Sequence, residues 1–343
     1  MPAVGLVVIG RNEGARLERC LASAAPHIGR AVYVDSGSTD HSVPMARARG
    51  IDVVELDTSV PFTAARARNA GFARLLEIAP GTELVQFVDG DCEILDSWWD
   101  SAARRLLDRP ELAIVCGRRR ERFPDASAYN RLCDVEWDTP VGPADACGGD
   151  FLCRAVAFQQ VHGFDPAFIA GEEPEMCLRL RAKGWQIERL GVDMTLHDAA
   201  MTSWRQWWKR EKRSGYAVAD GRATHGRSPE RYRVKMYRSN YAWGLLLPLL
   251  ALAPAWWTYG LSAVLLLMYP LQYLRLRRSL ARGRNLSSAD ASLYARFVLL
   301  GKFPQSAGQL KYTLDHLLKR PKVLIEYKSA EAPPSTTPPA SAF

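Results

Sequence analysis

A chain of 343 residues, 48% hydrophobic and with a formal charge of +8, is long enough for one large domain plus an appendage. Its seven cysteines are scattered, with no Cys-x-x-Cys pair, which argues against a zinc ribbon or a dithiol redox motif and fits reduced thiols. The basic excess suits nucleic acid, anionic lipid or phosphorylated substrates; no zinc-finger, RRM or KH signature accompanies it, which disfavours nucleic acid.

The chain opens with Val4-Gly5-Leu6-Val7-Val8-Ile9, a strand-like apolar run, and because the N-terminus leads straight into it no signal peptide is expected. Arg11-Asn12-Glu13-Gly14 follows, then a helical pattern through Leu17, Cys20, Leu21 and Ala24. Ala31–Asp35 predicts a second strand, ending on Ser36-Gly37-Ser38-Thr39-Asp40, and Ile51–Leu56 a third. Strands alternating with helices predict an α/β fold with a mostly parallel sheet flanked by helices. Val85–Val88 is a further buried strand that runs into Asp89-Gly90-Asp91. Ligand sites of open α/β sheets lie beyond the carboxyl ends of strands, so Asp35, Asp89 and Asp91 are expected on one rim. Two carboxylates there suit a hard divalent cation, although acid-Gly-acid also occurs in ordinary turns.

These landmarks, in this order, resemble the inverting family 2 glycosyltransferases of GT-A fold. The resemblance covers roughly residues 3–200. It rests on Arg11-Asn12-Glu13, the segment Asp35–Asp40, Ala67-Arg68-Asn69-Ala70-Gly71, Asp89-Gly90-Asp91, Gly148-Gly149, Gly171-Glu172-Glu173 with Arg179, and His197. It implies Asp91 and His197 as ligands of Mg²⁺ or Mn²⁺, and Asp89 facing the nucleotide ribose or the metal. Asp35 matches the aspartate that hydrogen-bonds the nucleobase, and Arg68 an arginine near that base or the phosphates. Gly148 and Gly149 would let backbone approach the donor sugar or acceptor, with Asp150 beside them near a sugar hydroxyl. The family's base is usually an Asp after Glu; here Glu173 takes that place, with Glu172 in reserve, and glutamate has the same proton chemistry. Acidic residues at a helix start are also favoured by the macrodipole alone. Asp35 and Arg68 have plainer readings too, as a turn cap and a helix-surface charge.

Trp204–Arg213 mixes tryptophan with cations. It reads either as a membrane-surface stripe or as a segment closing over the site, with Arg210 or Arg213 against the diphosphate. The Gln-x-x-Arg-Trp motif of processive polymerases is missing from Gln206-Trp207-Trp208-Lys209-Arg210, which implies addition of a single sugar. Ser239–Leu274 holds no charged residue and is flanked on both sides by arginines. It predicts a membrane hairpin breaking near Pro254–Thr258, with the flanks and the catalytic domain on the cytoplasmic face of the inner membrane. Leu310, Leu314, Leu317 and Leu318 form one face of a helix that either lies in a lipid interface or packs on the catalytic domain. The expected division is a catalytic domain over 1–225, a basic linker over 226–238, the hairpin over 239–274, a basic amphipathic region over 275–328 and a disordered tail over 329–343.

The function expected is transfer of one sugar from a nucleotide-diphosphate sugar, UDP-sugar favoured, to a saccharide acceptor. A lipid-linked acceptor, with membrane lipid as a further partner, would place it in envelope or exopolysaccharide synthesis. Two alternatives remain. A sugar nucleotidyltransferase would also use acidic metal ligands, but the first turn lacks a glycine-rich phosphate loop. A catalytically degenerate domain serving as a membrane assembly scaffold is the other. A dinucleotide fold is disfavoured because Gly5, Gly10 and Gly14 do not give Gly-x-Gly-x-x-Gly.

Overall fold

A computed structural model describes residues 3–24, 30–323 and 325. In chain order, β1 (Val4–Gly10), α1 (Ala15–Ser23), β2 (Ala31–Asp35), α2 (Ser42–Ala48), β3 (Asp52–Glu55), α3 (Ala64–Ile78) and β4 (Leu84–Asp89) form the first half. Then come β5 (Cys92–Ile94), α4 (Asp96–Asp108), β6 (Leu112–Glu121), α5 (Ala128–Trp137), β7 (Gly142–Pro143), β8 (Phe151–Arg154), α6 (Ala155–Gln160), α7 (Glu172–Ala182) and β9 (Gln186–His197). The sheet runs β3-β2-β1-β4-β8-β6-β9-β5, with β7 added against β9. β1 to β4 are parallel in their pairings, whereas β8 lies antiparallel to both β4 and β6. The expected α/β sheet is therefore present, as a mixed one.

The inner strands are buried on both faces. Leu6, Val7 and Val8 of β1 and Val85, Phe87 and Val88 of β4 are all enclosed, which explains why they read as continuous apolar runs and not as alternating ones. Helix α3 starts at Thr63, whose hydroxyl accepts from Arg66 N at 3.1 Å. It packs so closely that a Cβ on Gly71 would fall 2.4 Å from Val7 Cγ1. Strand order reverses at β1: β2 lies to one side and β4 to the other, with Gly10 opposite Asp35 and Ile9 opposite Asp89. That is the crevice where open α/β sheets bind ligands.

The last third is helical: α8 (Trp204–His225), α9 (Val234–Tyr241), a π turn over Ala242–Leu246, α10 (Leu247–Leu252), a 3₁₀ segment over Leu261–Leu267, α11 (Met268–Gly283), α12 (Ser288–Leu300) and α13 (Lys302–Leu317). Among the described residues no helix is long and apolar enough to cross a membrane. This corrects the expected membrane hairpin over 239–274, and with it the placement in the inner membrane. The apolar run is divided among short elements, with Gly260 in the left-handed region at φ +83° between them. The run therefore never supplies the roughly 20 consecutive helical residues that a span needs. Segment 226–238 is not wholly a linker either, since α9 begins inside it. The tail over 329–343 lies outside the described residues.

These helices pack back on the sheet domain. Arg131 on α5 makes a two-pronged pair with Asp290 on α12, at 2.8 and 2.7 Å. The Phe297 ring meets buried Trp207 at 5.0 Å, edge on. Helices α8 and α13 touch backbone to backbone, so a Cβ on Gly308 would fall 2.0 Å from Lys212 O and one on Gly215 2.0 Å from Gln305 O. The face of α13 that packs is thus small and polar (Ser306, Gly308, Gln309), while Leu310, Leu314, Leu317 and Leu318 are exposed. Gly308→Ala should cost about 1–3 kcal/mol, the usual cost of overpacking, because backbone has no rotamer to yield. Thermal denaturation checks it; an unchanged midpoint would mean the two helices do not touch as described.

Candidate active site

Asp91 and His197 meet because β5 pairs with β9, setting Cys92 opposite His197. Both are buried, and His197 Nε2 lies 3.4 Å from Asp91 Oδ2. On the other side of the ring, Nδ1 lies 3.6 Å from Glu121 Oε2. Glu121 is itself fixed by Phe123 N at 3.1 Å and Ala199 N at 3.0 Å. Trp137 packs edge-on against the imidazole, with centroids 4.7 Å apart. A carboxylate beside an imidazole whose far nitrogen faces a second carboxylate is a donor set that fits a divalent cation. Asp91 Oδ2 and His197 Nε2 are the atoms that would hold it.

Asp89 faces cations. Its Oδ1 accepts from Arg68 Nη2 at 2.7 Å and its Oδ2 from Arg119 Nη2 at 3.2 Å. Arg68 also donates through Nη1 to Glu172 Oε1 at 3.0 Å. Burial alone would lower the pKa of Arg68, but Asp89 and Glu172 outweigh it and hold the guanidinium charged. Arg119 is kept charged in the same way, by Asp150 first and then Asp89 and Asp91. Asp150, expected near a sugar hydroxyl, is enclosed: its carboxylate takes Asp89 N at 3.1 Å, Arg119 Nε at 2.9 Å and Thr195 Oγ1 at 2.8 Å. It holds the β4 turn in place.

The glycine pair has two separate reasons. Gly148 has φ +83°, a conformation that disfavours any side chain. Gly149 is ordinary in φ, but a Cβ there would sit 2.8 Å from both Asp89 Oδ2 and Arg119 Nη2. Gly149→Ala should therefore push Asp89 off its arginines, lowering stability by about 1–3 kcal/mol and activity with it. A variant that melts and works like the parent would show that this close approach does not exist.

Helix α7 begins after Gly171, left-handed at φ +77°, and buries Glu172, Glu173 and Glu175 in its first turn. Glu172 belongs to Arg68. Glu173 Oε1 accepts from Cys147 N at 2.5 Å and from Cys177 Sγ at 3.1 Å. Two donors on one oxygen fix the carboxylate and leave its second oxygen for other work. Glu175 is tied to Arg179 at 2.8 Å and to His225 at 2.8 Å, which fastens α7 to α8.

Asp35 is buried, and its carboxylate caps its own loop: Oδ1 accepts from Tyr33 OH at 2.8 Å, Oδ2 from Gly37 N at 2.9 Å and Ser38 N at 2.7 Å. These are the contacts of a turn cap. Beside that loop opens a cavity of about 410 Å³, lined by Arg11, Ser36, Gly37, Leu56, Thr58 and Phe62 among others. Arg11 lies over the Phe62 ring at 4.4 Å. Of the α8 cations, Arg210 pairs with Glu136 at 2.7 Å, next to the Trp137 that packs on His197; Arg213 is partly buried one turn on. Trp207 is buried and Trp204 half-exposed against it, so the tryptophans form a packing seam and not a surface stripe.

Sequence reading missed Arg119, Glu121, Cys147 and Cys177. Arg119 sits in a run of three arginines, and irregularities in the β6–β9 register on both sides of Arg118 obscure which one faces inward. The cysteines are thirty positions apart and only the fold brings them together, at 3.7 Å.

Residues 6–143 match the glycosyl transferase family 2 model. A TPR repeat-containing protein of Synechococcus elongatus is 32% identical over 133 residues, 38% of this chain and 31% of that protein. The pre-mycofactocin glycosyltransferase of Mycobacterium tuberculosis is 27% identical over 231 residues, 63% of this chain and 47% of its own length. The chain thus spans less than half the length of these curated relatives. Among solved structures, a mannosyltransferase of Pyrobaculum calidifontis in complex with GDP-Man and Mn²⁺ superposes with a TM-score of 0.57 at 17% identity, over 92% of this chain and 88% of that one. At that identity the likeness speaks for the fold. Family match, sheet order and the acids at the end of β4 agree: residues 6–143 are similar to the glycosyl transferase family 2, and the fold is GT-A.

Proposed function

We propose that this glycosyltransferase moves a single sugar, with inversion, from a nucleotide-diphosphate sugar to a saccharide acceptor, using a divalent cation and Glu173 as general base. The observation that carries this is the buried bridge of Arg68, which pairs with Asp89 and Glu172 and so locks the β4 turn to the start of α7. Metal ligands and base are thereby held in one rigid frame, as a positioned reaction requires. The cation, Mg²⁺ or Mn²⁺, would neutralise charge developing on the diphosphate. Asp91 and His197 hold it; Glu121 orients the imidazole; Glu173 takes the acceptor proton on the oxygen that Cys147 N and Cys177 leave open. The cavity beside Arg11 and Phe62 suits a nucleobase, with an aromatic ring and backbone for contacts, and we assign UDP as the first nucleotide to try. Asp35 then acts by shaping that loop. A lipid-linked acceptor is the finer reading; the exposed apolar residues Trp256, Trp257, Tyr259 and Leu261 are its support.

The test is an assay of released product over a panel of nucleotide-diphosphate sugars, with Mn²⁺ and with Mg²⁺. Nucleoside diphosphate is expected. Nucleoside triphosphate and sugar 1-phosphate, formed only when pyrophosphate is added, would point to nucleotidyl transfer instead, and no turnover with any donor would favour a scaffold. Acceptors offered with and without their lipid separate the two acceptor readings.

A further inference from the structure

Cys147, Glu173 and Cys177 form a second ligand cluster, apart from Asp91 and His197 and buried throughout. One sulfur and one carboxylate oxygen, Cys177 Sγ and Glu173 Oε1, are 3.1 Å apart, and the two sulfurs are 3.7 Å apart. Two thiolates held tetrahedrally by zinc, at about 2.3 Å each, stand about 3.8 Å from one another. The sulfurs are therefore already at the separation that such an ion demands, and neither side chain has to swing. Cys147 sits on the loop before the glycine pair and Cys177 one turn into α7, so the two are fixed by different elements. The carboxylate supplies a third ligand, and a water would have to complete the four.

We propose that Cys147, Cys177 and Glu173 bind a soft divalent cation of the Zn²⁺ class, and that binding arrests transfer by capturing Glu173. The inhibitory half rests on Glu173 being the base, as proposed above; the binding half does not. As the ion enters, both thiol protons leave to solvent and the two thiolates and the carboxylate become ligands, with no change of oxidation state. The thiols must lose their protons to bind, so those protons compete with the metal. Affinity should accordingly rise with pH. The two thiolates also discriminate against Mg²⁺, which prefers oxygen, so the catalytic and inhibitory ions need not compete for one site.

Co²⁺ is the probe, added to the reduced full chain without nucleotide. One equivalent should give a thiolate-to-cobalt charge-transfer band in the near ultraviolet, growing with pH and erased by Zn²⁺. Asp91→Asn should keep the band, whereas Cys147→Ser and Cys177→Ser should each lose it. Zn²⁺ added over saturating Mn²⁺ should inhibit nucleoside diphosphate release. Each cysteine variant, measured against its own rate, should need about tenfold more Zn²⁺ or beyond, the scale set by losing even an outer-shell partner. The wild-type spectrum decides binding even if a variant folds poorly. No charge-transfer band, or a band that survives in both cysteine variants, would overturn the site. So would loss of two free thiols to a Cys147–Cys177 disulfide without any cobalt band, which would make the pair a redox couple. A cobalt band without Zn²⁺ inhibition would leave the site standing and overturn the arrest of transfer; whether Glu173 is the base is decided separately by the turnover of Glu173→Gln.

Discussion

Asp91→Ala should reduce transfer by about 10³-fold or more while the fold survives. A cation at a developing diphosphate charge is worth several kcal/mol, and each 1.4 kcal/mol is about tenfold in rate. Asp91 offers its carboxylate from a turn, beside the His197 imidazole, and adds little to the apolar core under the sheet. The parent should gain thermal stability from Mn²⁺ together with a nucleoside diphosphate, because a ligand bound only by the folded state raises the melting point. The variant should gain almost none. Transfer by Asp91→Ala in the presence of chelator would remove the metal from the reaction.

Glu173→Gln should lower turnover by about 10²–10⁴-fold, the usual weight of a general base, with donor affinity little changed. The amide keeps the size and can still accept from Cys147 N and Cys177, so the local hydrogen bonds survive. Only the capacity to take a proton is lost. Glu172→Gln is the informative companion. It weakens the pair with buried Arg68, and its cost should appear largely in stability. If turnover instead collapses in Glu172→Gln and persists in Glu173→Gln, the base has been assigned one residue too late.

The parts of this molecule legible in the sequence are those set by short-range pattern. Val4–Ile9 and Val85–Val88 read as buried strands because they are enclosed on both faces, and the acids that follow mark where β4 leaves the sheet. Gly171-Glu172-Glu173 read as a helix start because glycine in the left-handed region followed by acids is local chemistry. What failed depended on distance. Asp150 looks like a polar residue beside a flexible glycine pair, and only the arrival of Arg119 and Thr195 from β6 and β9 encloses it. The stretch Ser239–Leu274 has the composition of a membrane segment, yet its helices break into short pieces. The sequence also left the leucine face of α13 open between a lipid interface and packing on the catalytic domain, and in the structure that face is exposed. A stripe of leucines normally marks the buried side, but here glycines let α8 and α13 meet backbone to backbone, and contact goes to the small residues.

The proposed reaction displaces a nucleoside diphosphate from the sugar carbon by direct attack from the opposite face. It can be tested without knowing the acceptor, because water can take the acceptor's place. The nucleotide-diphosphate sugar that most raises the melting point should be incubated with the protein and Mn²⁺, and the released sugar followed by proton NMR from the first minutes. The first anomer to accumulate should be opposite to that of the donor, with nucleoside diphosphate in equal amount, and with Glu173→Gln both should form more slowly by about 10²-fold or more. Release of the donor's own anomer first, or of sugar phosphate with nucleoside monophosphate in place of nucleoside diphosphate, would contradict it.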